Sequence, residues 1–269
     1  MAHTHAAAKE SAQFRTGWSW PVFGVVLILQ LWVAHAFAFF SHEYAHPFTA
    51  WLMGWKSNPL ALYYAHPTLV VFLAQLGINQ DVNETPIFAS GHGHYAAIIG
   101  AAGMVIGNGL ISFPLSRLGY AMAERRGHSG WAMFFYWTTV ASLGNFIDYV
   151  PVRTFTSEGD MGSIQRGFGW SPWLVLLVLG FPTAMLLLYF LLRIEPATIL
   201  RLFPSDKPKQ ALMVFVSAGV LFGFYGAAGL LEGGPISHNI SQVSVYVVFP
   251  VIVVTSWLLL QRRSAKSGQ

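Results

Sequence analysis

Phe39-Phe40-Ser41-His42-Glu43-Tyr44-Ala45-His46-Pro47 closes a long apolar run that begins near Trp20. Positions four apart on a helix share a face, so His42 and His46 aim both imidazoles at one point, with Glu43 beside them. This is the H-E-x-x-H spacing, in which two histidines hold one metal ion and the glutamate handles protons on a neighbouring water. Soluble metallohydrolases carry it in water. Here it ends an apolar stretch long enough to cross a bilayer, and that location decides how the rest of the chain is read.

The 269 residues are 54% hydrophobic and 10% charged, against about 25% charged in a soluble domain. Apolar runs of ~20 residues, enough to cross ~30 Å of hydrocarbon as helix, occur around residues 20–40, 95–116, 131–151, 172–193, 211–231 and 243–260. The expected fold is an all-α integral membrane protein of about six transmembrane helices. With no cysteine, disulfides, thiolate sites and iron–sulfur clusters are excluded, so any metal must rest on His, Asp or Glu. The net charge of +4 reflects topology rather than a nucleic-acid partner, because basic residues gather at cytoplasmic span ends. Alternate segments on one side hold twelve of the fifteen Lys and Arg residues. The protein is therefore expected in a membrane, the bacterial inner membrane, with both termini cytoplasmic and lipid around it.

Leu60 to Ile78 tests that scheme. Counted as a seventh span, it reverses everything upstream and leaves a basic bias of eleven to four. Asn58-Pro59, Tyr63, Tyr64, His66, Pro67 and Gln75 make its first half poor helix material. A re-entrant or membrane-surface segment near 60–78, packed on protein, is the preferred reading.

Around these spans the chain divides into a polar, mobile cytoplasmic N-terminus at 1–18, a three-span core at 19–170, and three further helices with a cytoplasmic tail at 171–269. His35 lies on nearly the same face as His42 but ~10 Å lower along the axis, out of reach of a shared ion, and reads as a packing or proton-relay residue. Pro47 predicts a kink at His46. His92 and His94 read as interfacial, with metal ligation as the alternative. Gly103-x-x-x-Gly107 predicts close approach to a neighbouring helix rather than to a ligand. Glu232 and His238 form an outer turn within conceivable reach of the site.

The third span ends in Asn145-Phe146-Ile147-Asp148, followed by Glu158-Gly159-Asp160-Met161-Gly162. A two-histidine site needs another protein ligand, commonly a carboxylate, and Asp148 and Asp160 are the candidates. The six-span topology puts this stretch on the same side as His42 and His46, so the topology and the metal site stand or fall together.

H-E-x-x-H in the first core span, a re-entrant segment after it, a glycine-rich second span and an Asn–Pro–Asp stretch at the third resemble the site-2 protease family of intramembrane zinc metalloproteases. The resemblance covers roughly residues 20–170. It implies one zinc ion on His42 and His46, Glu43 as general base, and Asp160, with Asp148 as its rival, as the third ligand. It also implies hydrolysis of peptide bonds in or near a transmembrane segment of a protein substrate. Asn145 would then hydrogen-bond substrate backbone or an oxyanion, with helix–helix bonding as the alternative. The competing expectation is an accessory subunit of a larger membrane complex, among partner subunits, with its histidines binding a metal or heme, or with no cofactor.

Overall fold

The computed structural model describes residues 17–75, 77–231 and 233–267. Most of the leader expected at 1–18 lies outside these, as does Glu232.

Helix α1 (Trp20–Leu52) starts with Pro21 in its first turn, where the missing N–H costs nothing. It ends just before Gly54, whose φ of 79° is the left-handed geometry glycine adopts most readily. At 33 residues it is longer than the 20–40 run and carries the whole H-E-x-x-H stretch. The helix continues through Pro47; the proline withholds one donor, from the carbonyl of Glu43, without ending it.

The 60–78 segment is not a span. Tyr63–Tyr64 (β1) pairs antiparallel with Ile78–Asn79 (β2) around helix α2 (Leu69–Ala74). Six residues of helix reach only ~9 Å. The indole of Trp32 donates to the Phe72 carbonyl at 3.2 Å and the two rings pack 4.9 Å apart. Trp32 stands ten residues, ~15 Å, before His42 on α1, so the hairpin folds back along the helix. Leu69, Phe72 and Leu73 face outward.

Helix α3 (Thr85–Ala89) leads into α4 (Gly93–Arg125), then α5 (Ser129–Ile147), α6 (Gly159–Phe168), α7 (Pro172–Leu202), α8 (Lys207–Leu230) and α9 (Pro235–Lys266). Among the described residues five helices, α1, α4, α7, α8 and α9, are long and apolar enough to cross a membrane. The expected third span, 131–151, is absent from these five. It is a helix, α5, but less apolar, because Thr138, Thr139, Ser142 and Asn145 lie along it. Those residues are all buried. A helix surrounded by protein needs no lipid-compatible surface and can hold hydrogen-bonding groups for its neighbours: Ser142 meets Ser112 at 2.7 Å and Thr139 meets Ser116 at 2.8 Å, both on α4.

Helices α1, α4 and α5 pack on one another, and α6 lies along the first half of α4. Small residues set these distances. A side chain at Gly107 would meet the Ser41 carbonyl oxygen of α1, and one at Gly167 of α6 would meet the Gly93 carbonyl oxygen of α4. In lipid this close contact replaces the hydrophobic drive of water. Since backbone meets backbone at Gly107, neither side can yield. Gly107→Ala should cost ~1–3 kcal/mol, measured as a lowered melting temperature in detergent; an unchanged melting temperature would mean that the helices part freely there.

Candidate metal centre

A buried imidazole needs a partner for each ring nitrogen. His42 and His46 are both 1% exposed. The His46 Nδ1 lies 2.6 Å from the carbonyl oxygen of Ile99 on α4, a group that only accepts, so Nδ1 carries the proton. The His42 Nδ1 lies 2.9 Å from Asn108 Oδ1, also on α4. The Asn108 amide nitrogen donates to the Ala38 carbonyl at 3.0 Å, so its oxygen faces His42 and this Nδ1 carries a proton as well. In the neutral rings both Nε2 atoms are then bare lone pairs.

Those two lone pairs converge on a carboxylate. Asp160 Oδ2 is 3.1 Å from His42 Nε2 and 3.2 Å from His46 Nε2. His42, His46 and Asp160 are the one group of three or more His, Asp or Glu ligands among the described residues whose ligand atoms lie within 4.8 Å of one another. Three lone-pair atoms facing one point repel unless a cation sits among them or the rings take up second protons. A tetrahedral zinc site with ~2.1 Å bonds has ligand–ligand edges of ~3.4 Å, close to the two Asp160 distances. Gly103 is what lets the two rings approach α4 here: a Cβ on it would lie 2.3 Å from His46 Nε2 and 2.5 Å from His42 Nε2. The buried trio can therefore bind a metal ion.

Three segments deliver these atoms. Helix α1 presents the histidines. In α4, the widened π-type turns at Gly103–Ser112 bring Gly103 under the rings and Asn108 beside His42; such turns gather at functional sites. Asp160 sits in the first turn of α6, after Gly159 at a φ of 64°. A Cβ at Gly100 would lie 2.9 Å from the Asp160 carbonyl oxygen, so that glycine lets α6 settle. Burial opposes ionisation of Asp160, and when the two rings carry second protons His46 and His42 hold its carboxyl below the usual carboxylate range.

The other sequence candidates fall elsewhere. Asp148 accepts from Arg153 Nε at 2.8 Å and lies outside the ligand group. It contributes indirectly, since Arg153 covers the Tyr149 ring, which also meets His42 at 4.4 Å between centroids. Asn145 donates to the Ala141 carbonyl of its own helix at 3.1 Å. Glu43 is 6% exposed, with His42, His46, Asp160 and Arg153 as its titratable neighbours. His35 meets the Tyr225 hydroxyl at 2.7 Å, which fits a polar packing residue. His92 stacks on Tyr95 at the exposed start of α4, and His238 bonds Gln242.

Asn108 and Gly103 were missed in the sequence, where this part of α4 reads as helix packing alone. That reading holds for Gly107 and needs correction at Gly103, which faces the histidines. One signal was present: Asn108 is a lone amide in an apolar span, and such residues mark functional sites by default. The Ile99 carbonyl carries no sequence signal.

No family model, curated protein or solved structure matches the chain, so its class rests on fold and site: a helical membrane protein with a buried two-histidine, one-aspartate cluster.

Elemental analysis of purified protein should find about one metal ion per chain, lost in His46→Ala and in Asp160→Asn and kept in Asp148→Asn. Asn108→Ala should weaken metal binding about 10–100-fold in a chelator competition; unchanged affinity would show that Asn108 does not hold the His42 ring.

Proposed function

We propose that the chain is a membrane-embedded zinc metallopeptidase that cleaves peptide bonds in or next to a transmembrane segment of another protein. One observation carries the reading: both Nδ1–H groups are committed to fixed acceptors, so both Nε2 lone pairs are held against Asp160 in a cradle that a Cβ at Gly103 would fill. Two imidazoles and a carboxylate, with no sulfur, suit zinc with one position left open. A bound zinc ion would polarise the scissile carbonyl and ready a water for attack near neutral pH.

The chain's own residues supply the remainder. Glu43 follows His42 directly and takes the proton from the attacking water, then returns it to the leaving amide nitrogen. Asn108 and the Ile99 carbonyl keep both rings in one tautomer and one orientation, so no reorganisation is needed at the moment of reaction. Tyr149 covers the His42 ring and excludes water from that side. A helical substrate hides its carbonyls in its own hydrogen bonds, so the cleaved segment must be unwound before it reaches the histidines.

The test separates binding from chemistry. Glu43→Gln should keep its metal, measured by elemental analysis, while cleavage of a reconstituted single-span protein falls by about 10²–10⁴-fold. Cleavage at the wild-type rate would remove Glu43 from this role, and metal lost along with activity would make it a ligand.

A further inference from the structure

Beside the metal ligands lies a cavity of ≈ 720 Å³, between the 80–88 segment and α6, whose walls include Gln80, Asn83, Glu84, Ser163 and Arg166. Its size falls in the range of ligand sites. Gly159 and Ser163, also in its walls, flank Asp160 on α6. Gln80 belongs to both places, because its side-chain nitrogen donates to Asp160 Oδ1 at 3.4 Å. The amide cannot be turned round, since that would set its oxygen against the carboxylate.

The hydrogen-bond inventory of this cavity is lopsided. Gln80 Nε2 is committed to Asp160, Ser163 Oγ donates to Glu84 Oε2 at 2.5 Å, and Arg166 donates from Nε to the Gly162 carbonyl at 3.3 Å. Arg166 reaches Glu84 only at 3.9 Å, with its side chain 59% exposed. Two acceptors remain buried without a donor among the described residues, Gln80 Oε1 and Glu84 Oε1. Burial pushes the Glu84 carboxyl up from its ordinary value against the Ser163 bond, a cost that a cation beside it would reverse. A ligand that completes this wall must bring donors and positive charge.

We propose that this cavity is a specificity site that receives a lysine or arginine side chain of the substrate, adjacent to the cleaved bond, with Glu84 and Gln80 as its acceptors. The proposal rests on the peptidase reading above. It assigns to the substrate a basic residue at the membrane boundary, where Lys and Arg commonly flank transmembrane segments.

The chain can be loaded with zinc in detergent and titrated with three peptide hydroxamates that differ only in the residue beside the zinc-binding group: Lys, Leu or Glu. The Lys peptide should bind about ten-fold more tightly than the Glu peptide, as expected of a hydrogen bond to a charged group. Glu84→Gln should bring the two within about three-fold of each other, and Arg166→Gln should widen the gap by removing the competing guanidinium. Both variants should keep one zinc per chain, which checks that they fold. Equal binding of the three peptides to zinc-loaded wild type, or binding of none, means that the cavity holds only water and overturns the proposal. A preference that survives Glu84→Gln overturns it as well. A wild-type chain that takes up no zinc sinks the peptidase reading together with this one.

Discussion

Two imidazole rings buried among apolar helices must each satisfy one nitrogen before the other is useful. In this protein the Ile99 carbonyl and the Asn108 amide oxygen do so, and both come from α4. The other nitrogens are then fixed in protonation state and direction, and a carboxylate from α6 meets them. Much of the surrounding architecture serves this arrangement: the glycines that let α4 and α6 approach, the widened turns that place Asn108, and the aromatic cover from Tyr149. Removal of the α4 acceptors would leave α1 still helical, with its histidines free to choose the wrong tautomer.

The polar groups are layered by element. α1, α7 and α9 turn mostly lipid-compatible side chains outward, whereas α5 sits inside the bundle and carries Thr139 and Ser142 to partners on α4. Asp148 belongs to this supporting layer. Bound by Arg153, it fixes a guanidinium over Tyr149 and so steadies the wall of the site without entering it. Two carboxylates twelve residues apart thus take different tasks because one is bound by an arginine and the other meets the two histidines.

The parts legible in the sequence were those with a length or a spacing. Apolar run length located the membrane helices, and the four-residue interval placed His42 and His46 on one face. Pro59 and Pro67 correctly argued against a helix spanning 60–78. The third span was harder, since a helix enclosed by protein loses the uniform apolarity by which spans are recognised. Asp148 and Asp160 could not be separated because they differ not in type but in neighbours: Arg153 lies five residues from one, while the glycine contacts that carry the other to the histidines join α4 to α6. The Ile99 carbonyl belongs to the main chain, which no side-chain pattern reports, and Gln80 reaches Asp160 across 80 positions.

His42 and Asp160 are separated by 118 positions, with two long helices between them in the chain. Their meeting requires α1, α4 and α5 to run in alternating directions, so that the end of α5 emerges beside the end of α1. A chain in which one helix enters the bilayer the wrong way round, or in which the 60–78 hairpin is driven across, leaves the aspartate on the opposite side from the histidines. Assembly of the cluster is therefore coupled to correct membrane insertion, and a chain that inserts wrongly is kept from bringing the three side chains together by geometry alone.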